Sequence, residues 1–233
     1  MMYLSRVRVA TSGLDPRSLQ RLMESHAYGN HQLLWQLFPR DQERPFLFRQ
    51  EFETAAHVGG TPRGMPLFYL LSQVEPTPVV GLLDCEIKPF EPKLETGQQL
   101  AFRLRANPVV ARKAEGRNRS RRHDVLMDAK WFAQSEGVKD RGEIRERMEA
   151  AARQWLNDPE RAERNGYRLL AEPRTSGYRQ HAYRRKSGRI SFSSIDFEGQ
   201  LEVRDSERFL TTLAEGIGRS RAFGCGMWMI RRV

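Results

Sequence analysis

Apolar and polar residues alternate in several short segments of the chain, with the two-residue period of a half-buried strand. Residues 3–9 and 99–106 show this period most clearly. The same pattern, or a short apolar run, predicts further strands at 46–52, 67–72, 85–90, 167–170, 178–185, 189–197 and 201–203. Lys186, Ser187 and Gly188 separate two of these segments, and this composition favours a hairpin turn.

Segments in which apolar residues recur at helical spacing lie between these predicted strands. Asp15 and Pro16 are typical of a helix start, and apolar residues then recur at helical spacing as far as Phe38. Gly29 and Asn30 interrupt that pattern, so it fits two short helices as well as one long helix. Further helices are predicted at 123–134, at 140–156 and from Asp205 or Ser206 to Ala214.

The order of these elements repeats in the two halves of the chain. The first ninety residues follow the order β-α-β-β-(weak helix)-β, although residues 76–83 are ambiguous. The second half follows β-α-β-β-α-β with additional strand content. We therefore predict an α+β protein with two tandem ferredoxin-like (RRM-like) domains, each with an antiparallel sheet. Prolines and a glycine near the middle place the domains at 1–92 and 97–233.

The charge balance indicates a polyanionic partner. The chain has 39 Lys and Arg against 29 Asp and Glu, a formal net charge of +10. Nucleic acid is favoured over a membrane, because no apolar run approaches the roughly 18 residues that a spanning helix needs. The first residues suggest a strand rather than a signal peptide. We expect a reduced, cytoplasmic protein.

No sequence motif for a metal or a cofactor is found. Cys85 and Cys225 are the two cysteines of the chain, and their positions have no metal-ligand spacing. The acidic residues form no paired-carboxylate or two-metal pattern, and there is no phosphate-binding P-loop, nucleophile elbow or redox motif. We expect neither a metal nor a cofactor.

Two clusters of basic residues could bind nucleic acid. The first lies in a predicted flexible loop and consists of Arg112, Lys113, Arg117, Arg119, Arg121 and Arg122. The second lies on the predicted hairpin and consists of Arg174, Arg179, Arg184, Arg185, Lys186 and Arg189. Tyr178 and Tyr183 interrupt the second cluster, and no acidic residue does. Such a ribbon suits the groove and phosphates of a structured RNA. The mixed Glu and Arg residues of 140–156 indicate a solvated helix face instead.

A glycine-rich loop precedes the last predicted strand. Four glycines occur between residues 216 and 226, and Arg219 and Arg221 lie among them. Glycine lets another segment or a ligand approach the backbone, and guanidinium groups suit phosphate oxygens. A helix-to-strand turn that needs glycine explains the pattern equally well.

His31 is the best candidate for acid–base chemistry among five histidines. Tyr28 lies three residues earlier, so a helix would place both residues on one face. Imidazole can exchange a proton at neutral pH, and a phenol can orient a phosphate or hydroxyl group by hydrogen bonding. A single histidine is more often structural, and His181 on the basic hairpin is the next candidate.

Several motifs in chain order resemble one family. They are residues 2–7, Tyr28 and His31 followed by 34–39, residues 102–108, residues 197–201 and the glycine-rich loop. Together they resemble the CasE family, the CRISPR repeat-processing endoribonucleases of the type I-E Cascade complex, within the repeat-associated RNA-processing superfamily. The resemblance implies tandem ferredoxin-like domains. It also implies metal-independent cleavage of CRISPR precursor RNA at the base of each repeat hairpin.

The resemblance also implies roles for particular residues. The family's catalytic histidine corresponds to His31, and its assisting tyrosine corresponds to Tyr28. The basic hairpin that grips the RNA corresponds to Arg184 and Arg185, with Lys186 and Arg189 beside them. Arg112, Lys113, Arg219 and Arg221 are further RNA-binding candidates. His26 is a second histidine close to the site. The implied partners are the CRISPR repeat hairpin, the mature crRNA and other Cascade subunits, especially the subunit that coats the crRNA.

Two other functions fit the same residues. The chain could be a non-catalytic RNA-binding subunit in which His31 is an ordinary helix residue. It could also be a DNA-binding regulator, although no helix-turn-helix pattern supports that hypothesis.

Overall fold

A computed structural model describes residues 1–10, 27–39, 44–52, 64–113, 120–185 and 188–233. The chain divides into two compact units. The N-terminal unit comprises Met1–Lys93 together with Ala214–Gly216 and Arg221–Met227. The C-terminal unit comprises Leu94–Leu213, Ile217–Ser220 and Trp228–Val233. The domain limits 1–92 and 97–233 remain a proposal from the sequence.

The N-terminal unit contains a four-stranded antiparallel sheet. Its strands are β1 (Met2–Val9), β2 (Phe46–Phe52), β3 (Pro66–Ser72) and β4 (Leu83–Phe90), arranged in the order β2-β3-β1-β4. The central strand β1 alternates as predicted, because Ser5, Val7 and Val9 are buried while the residues between them are partly exposed. In this register, Val7 lies opposite both Phe68 and Cys85.

The described part of the connection between β1 and β2 contains one α-helix. Helix α1 spans Ala27–Leu34, and a 3-10 helix, Trp35–Leu37, continues it. Leu34 and Leu37 are fully buried and pack against Phe48 and Phe68 of the sheet. The predicted helix start at Asp15 lies outside the described residues.

The weak helix predicted between β3 and β4 is wrong. Residues 73–82 are not helical, and the amide N–H groups of Leu82 and Leu83 both bond to the carbonyl of Val79. Pro76 and Pro78 explain the difference. Proline lacks the N–H that a helix needs and disfavours helical geometry at the residue before it.

The C-terminal unit contains a second antiparallel sheet. Its strands β5 (Gln99–Ala106), β8 (Tyr167–Leu169), β10 (Gly188–Val203) and β11 (Trp228–Arg232) have the order β11-β5-β10-β8. Strand β9 (Arg174–Arg185) also pairs with β10. Leaving β9 aside, each sheet has its first and third strands at the centre, flanked by the fourth and the second. This is the ferredoxin-like order, so the predicted fold class is confirmed.

Helices cover one face of the second sheet. They are α2 (Val125–Ser135), α3 (Arg141–Leu156), α4 (Pro159–Arg164) and α5 (Ser206–Glu215). Trp155 of α3 stacks on Phe197 of β10 within the core, with ring centroids 6.3 Å apart. Asp124, Asp140 and Asp158 cap α2, α3 and α4 by accepting backbone hydrogen bonds.

The flexible loop predicted at 112–122 is wrong for its described residues. Strand β6 (Val109–Lys113) pairs with β7 (Ser120–Asp124), and Arg112 lies opposite Arg121. A run of basic residues shows that the side chains are solvated, but it does not show how the backbone is paired. Strands pair through backbone hydrogen bonds, so the basic sequence gave no sign of these two strands.

Candidate functional site

His31 and Tyr28 both lie on helix α1, as the sequence predicts. The helix spans Ala27–Leu34, and its period places positions 28 and 31 on the same face. The helix continues into the 3-10 turn whose first residue is Trp35. His26, the neighbouring histidine, lies outside the described residues.

Aromatic side chains surround the His31 ring. The Trp35 indole N–H donates a hydrogen bond to His31 Nε2, with an N–N distance of 3.2 Å. The Phe46 ring of β2 lies 5.8 Å from the imidazole, centroid to centroid, and Phe38 stacks on Phe46 at 4.9 Å. Indole can only donate, so Nε2 is the acceptor nitrogen and the proton of the neutral ring is on Nδ1. These contacts fix the position of the ring and its tautomer.

The imidazole is neutral at cellular pH. Burial and, to a smaller extent, the positive charge of Arg44 together lower the pKa of His31 from 6.5 to about 4. Both effects disfavour the imidazolium, and burial is the larger. The neutral ring has one nitrogen that can accept a proton and one N–H that can donate a hydrogen bond.

Two arginines accompany His31 in the N-terminal unit. Burial lowers the pKa of Arg44, and the nearby charge of Arg221 lowers it further. The Arg44 Nε atom is buried, and it has no hydrogen-bond partner among the residues that the structure describes. Two guanidinium groups that are close enough to disfavour each other's charged form are stabilised by an anion between them. This pair therefore suits a phosphate group beside the imidazole.

The glycine-rich loop brings Arg221 to this position. The 3-10 helix Arg221–Phe223 packs against α1 and β2. Gly216 has φ +74, and a Cβ there would lie 2.8 Å from the carbonyl oxygen of Gly226 and 2.9 Å from Leu47 Cδ1. Gly224, with φ +81, would place a Cβ 3.1 Å from the Phe48 ring. These glycines let the loop pack closely on β2, which supports the turn interpretation, and phosphate binding by the loop stays a prediction.

The two arginines of the glycine-rich loop belong to different units. Arg221 is half-buried in the N-terminal unit, whereas Arg219 is exposed in the C-terminal unit. Arg44 is the residue that the sequence analysis missed. Its one signal in the sequence is a cation immediately before the buried Pro45 and Phe46, and that signal is weak.

The predicted basic hairpin is formed by β9 and β10. Arg184 lies opposite Arg189 and Arg185 opposite Gly188, while Lys186 is outside the described residues. The second hairpin carries Arg112 and Lys113 on β6. The C-terminal unit thus contains two antiparallel ribbons with basic residues at the ends of their strands, and we call the longer one the β9–β10 ribbon.

His181 on the β9–β10 ribbon has a structural environment. Its Nδ1 lies 3.0 Å from the Tyr183 hydroxyl oxygen, and its Nε2 lies 2.8 Å from Ser194 Oγ. Burial lowers its pKa, and the charges of Arg179 and Arg105 do so further. Both ring nitrogens are engaged within the ribbon, so His181 is poorly placed for proton transfer.

The described residues lack two kinds of structural feature. No group of three or more His, Cys, Asp or Glu side chains in this part of the chain could hold a metal ion. Among the same residues, no helix has both the length and the apolar character needed to cross a membrane.

The fold and the site together are those of a nucleic-acid-binding protein. The chain has tandem ferredoxin-like units, basic β-ribbons and a neutral histidine beside paired arginines. These features suit binding and acid–base chemistry on a polymer that contains phosphate groups.

Comparison with known proteins gives the family. Residues 2–232 match the family model described as CRISPR associated protein, and the chain belongs to that family. It is 28% identical over 229 residues to the CRISPR system Cascade subunit CasE of Escherichia coli K12, with 97% of each chain covered. It is 33% identical over 151 residues to the CRISPR-associated endoribonuclease Cse3 of Thermus thermophilus, covering 60% of this chain and 59% of the relative.

A solved structure agrees with these relatives. Thermus thermophilus Cse3, bound to an RNA that represents a pre-cleavage complex, superposes with a TM-score of 0.64 at 26% identity. The superposition covers 99% of this chain and 98% of that one. The resemblance noted in the sequence is confirmed.

Proposed function

We propose that this chain is a metal-independent endoribonuclease that cleaves CRISPR precursor RNA at the base of the repeat hairpin. The observation that carries the proposal is the cluster of His31, Arg44 and Arg221 in the N-terminal unit. It combines a neutral imidazole of fixed tautomer with two guanidinium groups suited to one phosphate. The similarity to CasE and to the endoribonuclease Cse3 supports the same reaction.

The reaction is an internal transesterification. The 2′-hydroxyl oxygen of the nucleotide before the cut attacks the adjacent phosphorus, and the bond from phosphorus to the 5′-oxygen breaks. The products are a 2′,3′-cyclic phosphate and a 5′-hydroxyl. The 2′-hydroxyl loses one proton and the departing 5′-oxygen gains one, so the reaction is balanced without a cofactor.

His31 and Tyr28 carry these two proton transfers in the proposed mechanism. Nε2 of the neutral imidazole can accept a proton by giving up the hydrogen bond from the Trp35 indole, whereas Nδ1–H and the phenol of Tyr28 can donate one or orient the phosphate. Arg44 and Arg221 hold the phosphate and neutralise the charge that develops on its oxygens. In-line attack requires the RNA to be held in one geometry, and this task falls to the basic surface of the protein.

RNA binding is assigned to basic residues of the C-terminal unit. We propose that Arg184, Arg185, Lys186 and Arg189 grip the repeat hairpin, with Arg112, Lys113 and Arg219 contacting further phosphates. The net charge of +10 supports a polyanionic ligand. After cleavage the protein stays bound to the 3′ hairpin of the mature crRNA within Cascade, next to the subunit that coats the crRNA. We also propose that it acts in the cytoplasm.

Labelled repeat RNA tests the proposal. Purified protein is incubated with end-labelled hairpin RNA, and the product ends are identified. The proposal expects one cut at the hairpin base, with a cyclic phosphate on the upstream fragment. Tight binding without cleavage would instead indicate a non-catalytic RNA-binding subunit, and preference for duplex DNA would indicate a regulator.

A further inference from the structure

One face of the sheet in the C-terminal unit is covered by helices, and the other face points away from them. On β5, Leu100, Phe102 and Leu104 are buried toward the helices, so Arg103 and Arg105 point to the other face. On β10, Ile195 and Phe197 are buried in the same core, so the even-numbered residues from Phe192 to Gln200 point away from it. Ser193 agrees with this assignment, because its hydroxyl donates a hydrogen bond to Asp124 at the start of α2.

The two central strands carry ion pairs on this face. Arg105 donates two hydrogen bonds of 2.9 Å to the carboxylate of Asp196, and Arg103 Nε lies 2.8 Å from the carboxylate of Glu198. RRM domains stack nucleobases on aromatic residues of the corresponding strands. In β5 and β10 the facing positions from 99 to 105 and from 196 to 202 hold no aromatic residue.

The aromatic side chains of this face lie further along, on the β9–β10 ribbon. His181 is opposite Phe192 across the two strands, and their rings stack with centroids 4.5 Å apart and planes 18° apart. Tyr183 follows two residues after His181, with its ring 6.2 Å from His181 and 6.1 Å from Phe192. All three side chains are half-buried.

Hydrogen bonds within the ribbon fix this aromatic group. His181 bonds to Tyr183 through one ring nitrogen and to Ser194 through the other. A platform held in place before the ligand arrives loses little side-chain entropy when it binds. Burial and the nearby charges of Arg179 and Arg105 lower the pKa of His181 and so favour its uncharged ring.

The charges near the aromatic group suit a nucleotide. Arg179 and Arg105 are close enough to His181 to lower its pKa. A cleft of about 590 Å³ runs along the same sheet face, and it is lined by Arg103, Arg174 and Arg231 with Glu198 as its acidic residue. The exposed Arg179 therefore lies near a stacked base for its phosphate, whereas Arg105 is paired with Asp196 and the arginines of the cleft lie further along the sheet.

We propose that His181, Tyr183 and Phe192 form a stacking platform for an unpaired nucleobase of the bound RNA. The proposal rests on the RNA-binding function proposed above and adds a site to it. Every base has a π-face, so the platform accepts any base while Arg179 contacts the backbone. The ribbon would thus bind an unpaired nucleotide in addition to the paired stem.

Fluorescent RNA tests this platform. 2-Aminopurine is placed in turn at each unpaired position of the repeat RNA, and its fluorescence is measured with the wild-type protein. We expect a change at one position on binding. Phe192→Leu and Tyr183→Leu should abolish that change and weaken binding about ten-fold, within the range measured for single base–aromatic contacts. Phe192→Trp should keep both the fluorescence change and the affinity.

The control is an aromatic residue away from this face. Trp131 of α2 is 63% exposed, and Trp131→Leu should change neither the fluorescence nor the affinity. Thermal unfolding of each variant shows whether the ribbon variants remain folded. If Phe192→Leu unfolds the protein, the test rests on Tyr183→Leu and Phe192→Trp.

Other outcomes contradict the platform in distinguishable ways. If wild-type protein binds and cleaves the RNA while folded Phe192→Leu and Tyr183→Leu retain full affinity and fluorescence change, the platform is wrong and the proposed function stands. If these variants keep RNA affinity but lose association with a partner subunit, the aromatic group binds protein. If wild-type protein binds no hairpin RNA, both proposals fail.

Discussion

His31 combines two properties that are hard to achieve together. Burial against Trp35 and Phe46 keeps the imidazole neutral, yet the ring lies beside cations that can hold a phosphate. Arg44 contributes to both effects, because its charge disfavours the imidazolium and attracts the anion. A bound phosphate would offset that charge and raise the pKa of His31, which makes the imidazole a better proton acceptor once RNA is bound.

Replacing Arg44 should raise the pKa of His31 in the free protein. Arg44→Gln removes a positive charge that disfavours imidazolium, so the pKa should rise from about 4 toward 6.5. It should stay below 6.5, since burial remains the larger cause. Titration of the imidazole C–H signals by NMR measures this change. An unchanged pKa would show that Arg44 is not the neighbouring cation.

Replacing His31 should abolish cleavage and preserve binding. His31→Ala removes a group that moves a proton at the scissile phosphate, a contribution of about 100- to 10,000-fold in rate. RNA affinity should be nearly unchanged, because it comes from many phosphate contacts. Tyr28→Phe should cost less, since it removes one hydroxyl. Single-turnover cleavage and filter binding measure the two effects.

His26→Ala is the control for this assignment. It changes a histidine in the same segment and should leave the rate close to that of the wild type. If His26→Ala abolishes cleavage and His31→Ala does not, the correspondence with the family is shifted along the chain. If neither matters, the proton transfers lie elsewhere.

The residues of the site differed in how far the sequence could predict them. His31 and Tyr28 are close in sequence, so helical spacing alone pairs them. Arg44 and Arg221 come together because the glycine-rich loop packs beside β2, and no local pattern encodes such a distant contact. The steric need for Gly216 next to Leu47 is equally invisible before the fold is known.

At the scale of elements, the β9–β10 ribbon carries the proposed grip on the RNA. Arg184→Ala with Arg185→Ala should weaken hairpin binding and flatten its salt dependence. Each lost phosphate contact should reduce the slope of log K against log salt by roughly 0.7 to 0.9. Cleavage at saturating protein should suffer less than binding.

Arginines on the solvent face of α3 provide the control for the ribbon. Arg145 has a side chain that is 81% exposed and pairs loosely with Glu149, so Arg141→Ala with Arg145→Ala removes the same charge elsewhere. This double variant should leave the salt slope nearly unchanged. Equal losses in both double variants would mean that net charge, rather than the ribbon, governs binding.

The glycine-rich loop should be sensitive to a single methyl group. Gly216→Ala should destabilise the protein by roughly 1–3 kcal/mol, because Ala is disfavoured at positive φ and its Cβ would press on Gly226 and Leu47. Gly81 has nearly the same φ, +75, with nothing within 4 Å of a Cβ, so Gly81→Ala should cost less. Urea unfolding measures both. Equal costs would show that strain alone matters.

Elements with a regular period were predictable and the others were not. Both strands of the β9–β10 ribbon were predicted, at 178–185 and 189–197, but β9 begins earlier at Arg174 and β10 continues through the segment predicted as a separate strand at 201–203. The pairing of Val109–Lys113 with Ser120–Asp124 was missed, because basic side chains hide a backbone ladder. Residues 76–83 were ambiguous since apolar valines there compete with two prolines.

At the scale of the whole molecule, the proposed function gives the two units different roles. The N-terminal unit holds the histidine and the two arginines, and the C-terminal unit carries the basic ribbons. The tandem arrangement was predictable because each half repeats the same order of elements. Membership of Ala214–Gly216 and Arg221–Met227 in the N-terminal unit was not, since it depends on packing that spans the chain.

Cleavage should persist in excess EDTA. The proposed mechanism assigns both proton transfers to His31 and Tyr28, and it assigns the neutralisation of phosphate charge to Arg44 and Arg221, so these groups do what a metal ion does in other nucleases. Single-turnover cleavage of labelled repeat RNA, with and without chelator, measures this. A 2′-deoxy nucleotide before the cut is the matched control: it removes the attacking hydroxyl, so binding should remain and cleavage should stop. Loss of cleavage in EDTA with recovery on adding magnesium would overturn the mechanism, as would cleavage of the deoxy substrate.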